Sequence, residues 1–186
     1  PLEGVRVVDL TQVWAGPFST AILADAGAQV IRVESPDKPD LFRLSEAMPG
    51  ETAMYERGPF FHAANRNKLS ISLNLFSDEG REVLADLVRH ADAVVDNFSA
   101  RVMGNFGLDA EGVHAINPRA VTISMPAFGQ GGPYGHHVCY GEAMEGMGGI
   151  SPMTGYPGGP PRRTGTAIID VAVAFHGAMS VVAGLI

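Results

Sequence analysis

Val5-Arg-Val-Val-Asp-Leu10, then Pro17-Phe-Ser-Thr-Ala-Ile-Leu-Ala-Asp-Ala26 closed by Gly27, then Gln29-Val-Ile-Arg-Val-Glu34: this run decides the fold class. The outer two segments are short and β-branched, the mark of buried strands. The middle one opens on a proline, tolerated in a first helical turn, and closes on a glycine, favoured just past a helix end. The pattern continues outward. Leu69-Ser-Ile-Ser-Leu-Asn-Leu75 alternates strictly and predicts a strand with one polar face. Ser77, followed by Asp78 and Glu79, opens a helix to about His90, with Val83, Leu84, Leu87 and Val88 on one face. Ala93-Val-Val-Asp96 and Ala120-Val-Thr-Ile-Ser124 are the fourth and fifth strands, with short helices near Arg101 and over 111–115 between them. The spacing predicts loops at 36–50 and 151–165, helical or irregular chain over 51–65, and a helical turn or two over 142–147. Strands alternating with helices predict an α/β fold, an open and mainly parallel sheet with flanking helices. Ligands of such folds gather at the C-terminal strand ends. The loops 11–17, 35–50, 97–105 and 125–135 are therefore the candidate functional segments.

The 186 residues fit one domain, or one domain plus part of another. A hydrophobic share of 46% and a charged share of 18% describe a globular chain able to bury a core. The net charge of −7 argues against nucleic acid or an anionic membrane as partner. Cys139 is the only cysteine, which excludes an internal disulfide and a cysteine-rich zinc site and fits a reducing cytoplasm. No signal-peptide pattern is visible, and the apolar C-terminal stretch is interrupted by Asp170, His176 and small polar residues, so no membrane span is expected. Leu185-Ile186 lies inside an apolar helix pattern with no glycine, proline or basic last turn, so the polypeptide is expected to continue.

Several chemistries fail on spacing. A dinucleotide fold needs Gly-x-Gly-x-x-Gly after the first strand; here Gly16 stands alone, and Glu34 only mimics the ribose-binding acid. Neither a Gly-x-x-x-x-Gly-Lys-Ser/Thr loop nor a Gly-x-Ser-x-Gly elbow is present. The histidines at 62, 90, 114, 136, 137 and 176 lack ligand spacing, so no metal site is expected. Ser19, Ser99 and Ser124 have no base partner by spacing.

Two features remain. Asn65-Arg-Asn-Lys68 is either a solvated turn or a phosphate-holding element, and residue types alone favour the turn. Asp170, the only carboxylate over Gly146–Ile186, falls where Thr164-Gly-Thr-Ala-Ile-Ile169 gives way to the apolar helix pattern Val171–Ile186. A carboxylate there meets free N–H groups and the positive end of the helix dipole, and is expected to stay ionised at neutral pH. It reads as a helix cap or as a nucleophile, and this feature alone favours the cap.

Nine pieces in order settle the choice. They are Leu2-Glu-Gly-Val-Arg-Val-Val-Asp-Leu-Thr11, Ala15-Gly-Pro17, Gly27-Ala-Gln-Val-Ile-Arg-Val-Glu34, Asn67-Lys-Leu-Ser-Ile-Ser-Leu-Asn74 and Ala93-Val-Val-Asp-Asn-Phe98. Asn117-Pro118, Phe128-Gly-Gln-Gly-Gly-Pro-Tyr134, Gly155-Tyr-Pro-Gly-Gly-Pro-Pro161 and Asp170 with its glycine- and alanine-rich helix follow. Together they resemble the class III CoA-transferase family, the group of formyl-CoA transferase, carnitine CoA-transferase and the α-methylacyl-CoA racemases. The resemblance implies a Rossmann-like large domain of which residues 1–186 are the N-terminal portion, with a small domain and a chain return elsewhere. It also implies an interlocked homodimer and no tightly bound cofactor, the CoA thioester being substrate.

By position, Asp170 matches the catalytic aspartate. The implied reaction moves CoA from an acyl-CoA donor to a small carboxylic acid through an aspartyl anhydride and an aspartyl-CoA thioester. Gln12, in the loop Gln12-Val-Trp-Ala15, and N–H groups at the start of the Asp170 helix are candidate oxyanion donors. Val13, Ala15, Lys68, Asn97 and Phe98 match CoA-contacting positions, and Arg101 stands in for a basic residue replaced here by Asn105-Phe106. Trp14 occupies a position often held by glutamine. Racemases of the family pair a histidine with the aspartate as acid and base; that position is here within Cys139-Tyr-Gly-Glu142, which favours transfer. A noncatalytic CoA-binding or dimerisation module is the alternative of another class.

Overall fold

A computed structural model describes residues 1–44, 56–165 and 167–186. The expectations for 45–55, and for Thr166 in the stretch before the C-terminal helix, lie outside the described residues. Five strands, β1 (Arg6–Asp9), β2 (Gln29–Glu34), β3 (Leu69–Ser72), β4 (Ala93–Asp96) and β5 (Val121–Ser124), form one sheet in the order β3-β2-β1-β4-β5. Every pairing is parallel, with Val8 facing Ile31 on one side and Val94 on the other. The expected α/β architecture is present.

β1 and β4 are buried on both faces, which explains their β-branched runs. Successive side chains enter opposite cores. On one face Val8, Leu10 and Val94 pack with Leu84 and Val88 of α4 (Asp78–Arg89) and Val113 of α6 (Ala110–Ile116). On the other, Val7, Val30 and Val95 pack with Leu23 of α1 (Ala15–Asp25) and with Ala178 and Val181 of α9 (Ile168–Leu185). Ser77 caps α4 as its sequence promised, its Oγ accepting from Gly80 N–H at 3.1 Å.

Two helix starts differ from expectation, and two short helices stand where loop was expected. α1 begins at Ala15, with Pro17 third in the helix rather than first; the first turn's N–H groups have no intrahelical partner, so proline costs nothing there. Short helices α2 (Leu41–Leu44) and α8 (Ile150–Met153) occupy stretches expected as loop, while α3 (Pro59–Ala64) falls in the helical-or-irregular one. Helices α5 (Val102–Asn105) and α7 (Gly141–Met147) stand where the sequence placed them. α9 begins at Ile168, which makes Asp170 a first-turn residue and not the cap. By length and composition alone α9 could cross a membrane; here it lies along α1, burying Ala174, Gly177, Ala178 and Val181.

The order of the sheet reverses between β1 and β4. Loops leaving these two strands diverge to opposite faces and open a crevice between them, the ligand position of doubly wound sheets.

Candidate active site

The crevice is built by tying the loop after β1 to the loop after β4. The Asn97 side chain binds both polar groups of the Gln12 backbone, accepting from its N–H at 2.8 Å and donating to its carbonyl at 2.8 Å. Gly16 lets α1 start hard against these loops: a Cβ there would stand 2.4 Å from Thr11 Cβ and 2.9 Å from Asn97 Cγ. Between them Val13 is forced to φ 69°, a left-handed conformation costly for a β-branched residue. Its N–H is held at 2.9 Å by Asp40 Oδ2, and Asp40 is itself fixed by Arg32 at 2.6 Å in a buried ion pair. Strain of this kind persists only where the surroundings over-determine it, and it concentrates at functional sites.

These loops wall a cavity of about 420 Å³. Gln12, Val13, Trp14 and Ala15 form one side, Asn97, Phe98, Ser99 and Val102 another. Met125, Pro126 and Ala127 after β5, Val138 to Gly141, Met144, and Ile169, Asp170 and Val173 of α9 complete it. Trp14 makes an edge contact with Phe42 and a tilted one with Phe60. A second cavity of about 300 Å³ adjoins the first through Gln12, Phe98 and Val102. Leu73, Leu75, Phe76 and Phe106 give it apolar walls, and Glu34, Ser35 and Lys38 a polar edge.

Asp170 lies half-buried where three helices begin. It sits in the first turn of α9, Ala15 N–H at the start of α1 bonds its carboxylate, and Gly141 opens α7 beside it. A Cβ on Gly141 would stand 1.9 Å from Asp170 Oδ2, so only glycine permits this approach. Helix N-termini favour a carboxylate as anion. Burial works the other way and is the stronger influence: it raises the Asp170 carboxyl above the ordinary aspartate range, against hydrogen bonds from Ala15 N–H and its own N–H. The nearby Glu145 charge adds to the rise. The helix dipole, on which the expected ionisation at neutral pH rested, is thus opposed by burial. A raised pKa makes the ionised carboxylate more basic, which suits a nucleophile.

The structure brings Gln12, Val13, Ala15, Asn97, Phe98 and Asp170 together in one cavity. It does not bring Lys68 or Arg101 there. The Lys68 side chain is 2% exposed, and its Nζ donates at 2.8 Å to Asp9 Oδ2, Pro17 O and Asn65 Oδ1, which takes up all three ammonium N–H groups. It has nothing left for a phosphate; its work is to hold β1, α1 and the Asn65 turn together. Arg101 is exposed at the N-terminal boundary of α5 and lines neither cavity. Asn97 is a wall residue whose amide is spent on Gln12. Among the described residues no cluster of three His, Cys, Asp or Glu side chains could hold a metal. Sequence reasoning missed Lys38 and the Leu73, Leu75 and Phe76 wall; alternation past Ser72 was the available signal for Leu73 and Leu75, since it put both on one face. It also missed Glu145, whose only signal is being a lone carboxylate in the apolar, glycine-rich run Ala143–Ile150.

Residues 2–186 match the profile of CoA-transferase family III. The chain belongs to that family. It is 37% identical over 191 residues to a succinate–glutarate CoA-transferase of Agrobacterium fabrum, covering 100% of this chain and 47% of the relative. It is 40% identical over 172 residues to an acetyl-CoA:oxalate CoA-transferase of Acetobacter aceti, covering 92% and 43%. Among solved structures, a CAIB/BAIF family protein from Brucella suis superposes with a TM-score of 0.90 at 37% identity, over 100% of this chain and 49% of that one. The family III chain therefore spans a little under half the length of the curated relatives it matches.

Proposed function

We propose that the complete protein moves CoA from an acyl-CoA donor to a small carboxylic acid, with Asp170 as the nucleophile. The observation that carries this is a half-buried carboxylate, raised in pKa, at the wall of a cavity formed where the sheet order reverses. The Asp170 carboxylate adds to the thioester carbonyl; the C–S bond breaks, CoA thiolate leaves, and a mixed anhydride remains. The thiolate then adds to the aspartyl carbonyl, expelling the donor acid as carboxylate and leaving an aspartyl-CoA thioester. An acceptor carboxylate attacks that thioester, and the same steps run in reverse to release the new acyl-CoA and free Asp170. Each addition places negative charge on an oxygen beside Asp170, where Ala15 N–H and the first turn of α9 supply fixed donors.

The paired cavities fit the two ends of the substrate. The thioester and its apolar arm fill the first; the second, with apolar walls and Lys38 at its edge, suits a nucleotide base and its phosphates. Lys38 thus takes the role that Lys68 is too buried to play. Among the described residues lining the first cavity no histidine stands, which favours transfer over racemisation, because proton exchange needs a second acid–base group. We propose further that the complete polypeptide is a homodimer; exposed Phe175 and Met179 on α9 support an additional covering surface.

The test is to mix the full-length protein with acyl-CoA and a panel of carboxylates, following new acyl-CoA by mass spectrometry. Hydroxylamine trapping and peptide mapping should mark Asp170. Transfer that survives in Asp170→Ala, or a covalent mark on another residue, would overturn the assignment. Turnover without any covalent mark would favour a racemase, and binding without turnover a noncatalytic module.

A further inference from the structure

Glu145 stands on α7 one turn after Gly141, so the two share a helix face. Gly141 abuts the Asp170 carboxylate, and Glu145 grips the chain that leads into it. Its Oε1 accepts from Thr164 Oγ1 at 2.7 Å and from Ile168 N–H at 3.2 Å; its Oε2 accepts from Thr164 N–H at 3.3 Å. Ile168 is the first residue of α9, and the preceding Ala167 supplies no side-chain cap. The cap for the helix bearing Asp170 therefore comes from a different helix, 23 residues back along the chain. Glu145 is 1% exposed. A buried carboxylate is expensive, and a serine or asparagine at 167 would have capped α9 with no charge at all.

We infer that Glu145 is a positioning residue for acyl transfer: it fixes the first turn of α9, and so the approach of the Asp170 carboxylate to the thioester, while its charge acts on that carboxylate. The inference rests on Asp170 being the nucleophile. Hydrogen bonds from Thr164 hold the Glu145 carboxyl below its ordinary range, which favours its charged form. The titratable groups around Asp170 are Cys139 and Tyr140 of the cavity wall, Glu142 and Glu145 of α7, and His176 further along α9. Of these, Glu145 is the charge that bears on it. Arg163, paired with Glu142, acts on Glu145 in turn. A like charge raises a carboxylate's pKa and with it the basicity of the ionised form.

The experiment compares Glu145→Gln, Glu145→Ala and Asp170→Ala in the full-length protein, measuring kcat, KM for acyl-CoA and the pH profile of kcat/KM. Glutamine keeps an oxygen for Ile168 N–H and Thr164 Oγ1, but loses the charge and the acceptor for Thr164 N–H. Its kcat should stay within a few fold of the parent near neutral pH, while the acid limb moves to lower pH. Alanine leaves α9 uncapped, and kcat should drop on the order of tenfold or more at unchanged KM, because small misplacements of a reacting group carry penalties of that size. A glutamine profile that superimposes on the parent, with alanine activity reduced only in proportion to its folded fraction, would overturn the inference while an inactive Asp170→Ala left the nucleophile in place. Full activity in Asp170→Ala would remove the nucleophile reading and this inference with it.

Discussion

Asn97 and Gln12 are 85 residues apart in sequence, yet the Asn97 carboxamide completes the Gln12 peptide as a neighbouring strand would, one bond each way at 2.8 Å. The two loops at the sheet reversal thereby become one rigid wall. Asn97→Ala removes both bonds. At about 1 kcal/mol for each, stability should fall by roughly 1–3 kcal/mol. The larger effect belongs to turnover, since Gln12, Val13 and Ala15 would no longer be held in register with Asp170. Urea unfolding together with kcat separates the two: a loss of stability at unchanged kcat would mean that the wall keeps its shape without the amide.

Lys68 should behave as a core residue. Burial would raise the Asp9 carboxyl, but the charges of Lys68 and Arg32 and the bonds from Lys68 and Thr11 outweigh it and hold the group below the ordinary aspartate range. A depressed carboxylate contributes stability that is present above its unfolded pKa and is lost as pH falls through the folded one. Lys68→Met leaves Asp9 buried beside an apolar chain and should cost about 3–5 kcal/mol. Asp9→Asn combined with Lys68→Met should recover most of that. Chemical denaturation of the single and double variants checks the pair; a KM change for the CoA ester at full stability would return Lys68 to the ligand.

Asp96 offers a pH test with the opposite sign. Burial pushes its carboxyl up to about 6, against hydrogen bonds from Ser124 Oγ and Phe98 N–H. Its folded pKa exceeds the unfolded one, so the native state binds the proton more tightly between about pH 4 and pH 6, and stability falls as pH rises through that window. Asp96→Asn keeps an acceptor for both donors and should stabilise the neutral-pH protein by on the order of 1–3 kcal/mol. Unfolding curves at pH 4.5 and 7 should then lie closer together than in the parent.

What the sequence made legible follows from the range of the interactions involved. β2 and β4 lie at the residues read for them, because each is a short segment rich in β-branched residues, and β4 is buried throughout. Ser77 declared its helix because capping acts within three residues. Asp170 stands out through the ordered segments around it, and its alternative reading as a cap disappears once α9 begins two residues earlier. Lys68 was misread for the complementary reason. Asn65-Arg-Asn-Lys68 looks like a wet turn, and the partner that buries its lysine is Asp9, 59 residues away. Glu145 stayed hidden because its contacts with Thr164 and Ile168 bridge two helices that no local pattern pairs.

Trp14 is the only tryptophan in these 186 residues, and it forms part of the wall of the cavity that holds Asp170. Its indole is also packed against Phe42 and Phe60, so it is seated in a defined aromatic nest. Among these 186 residues, tryptophan emission, excited at wavelengths that tyrosine does not absorb, therefore has a single origin, and that origin borders the Asp170 cavity. The fold carries its own optical reporter: whatever enters or leaves that cavity changes the surroundings of one indole, with no label attached.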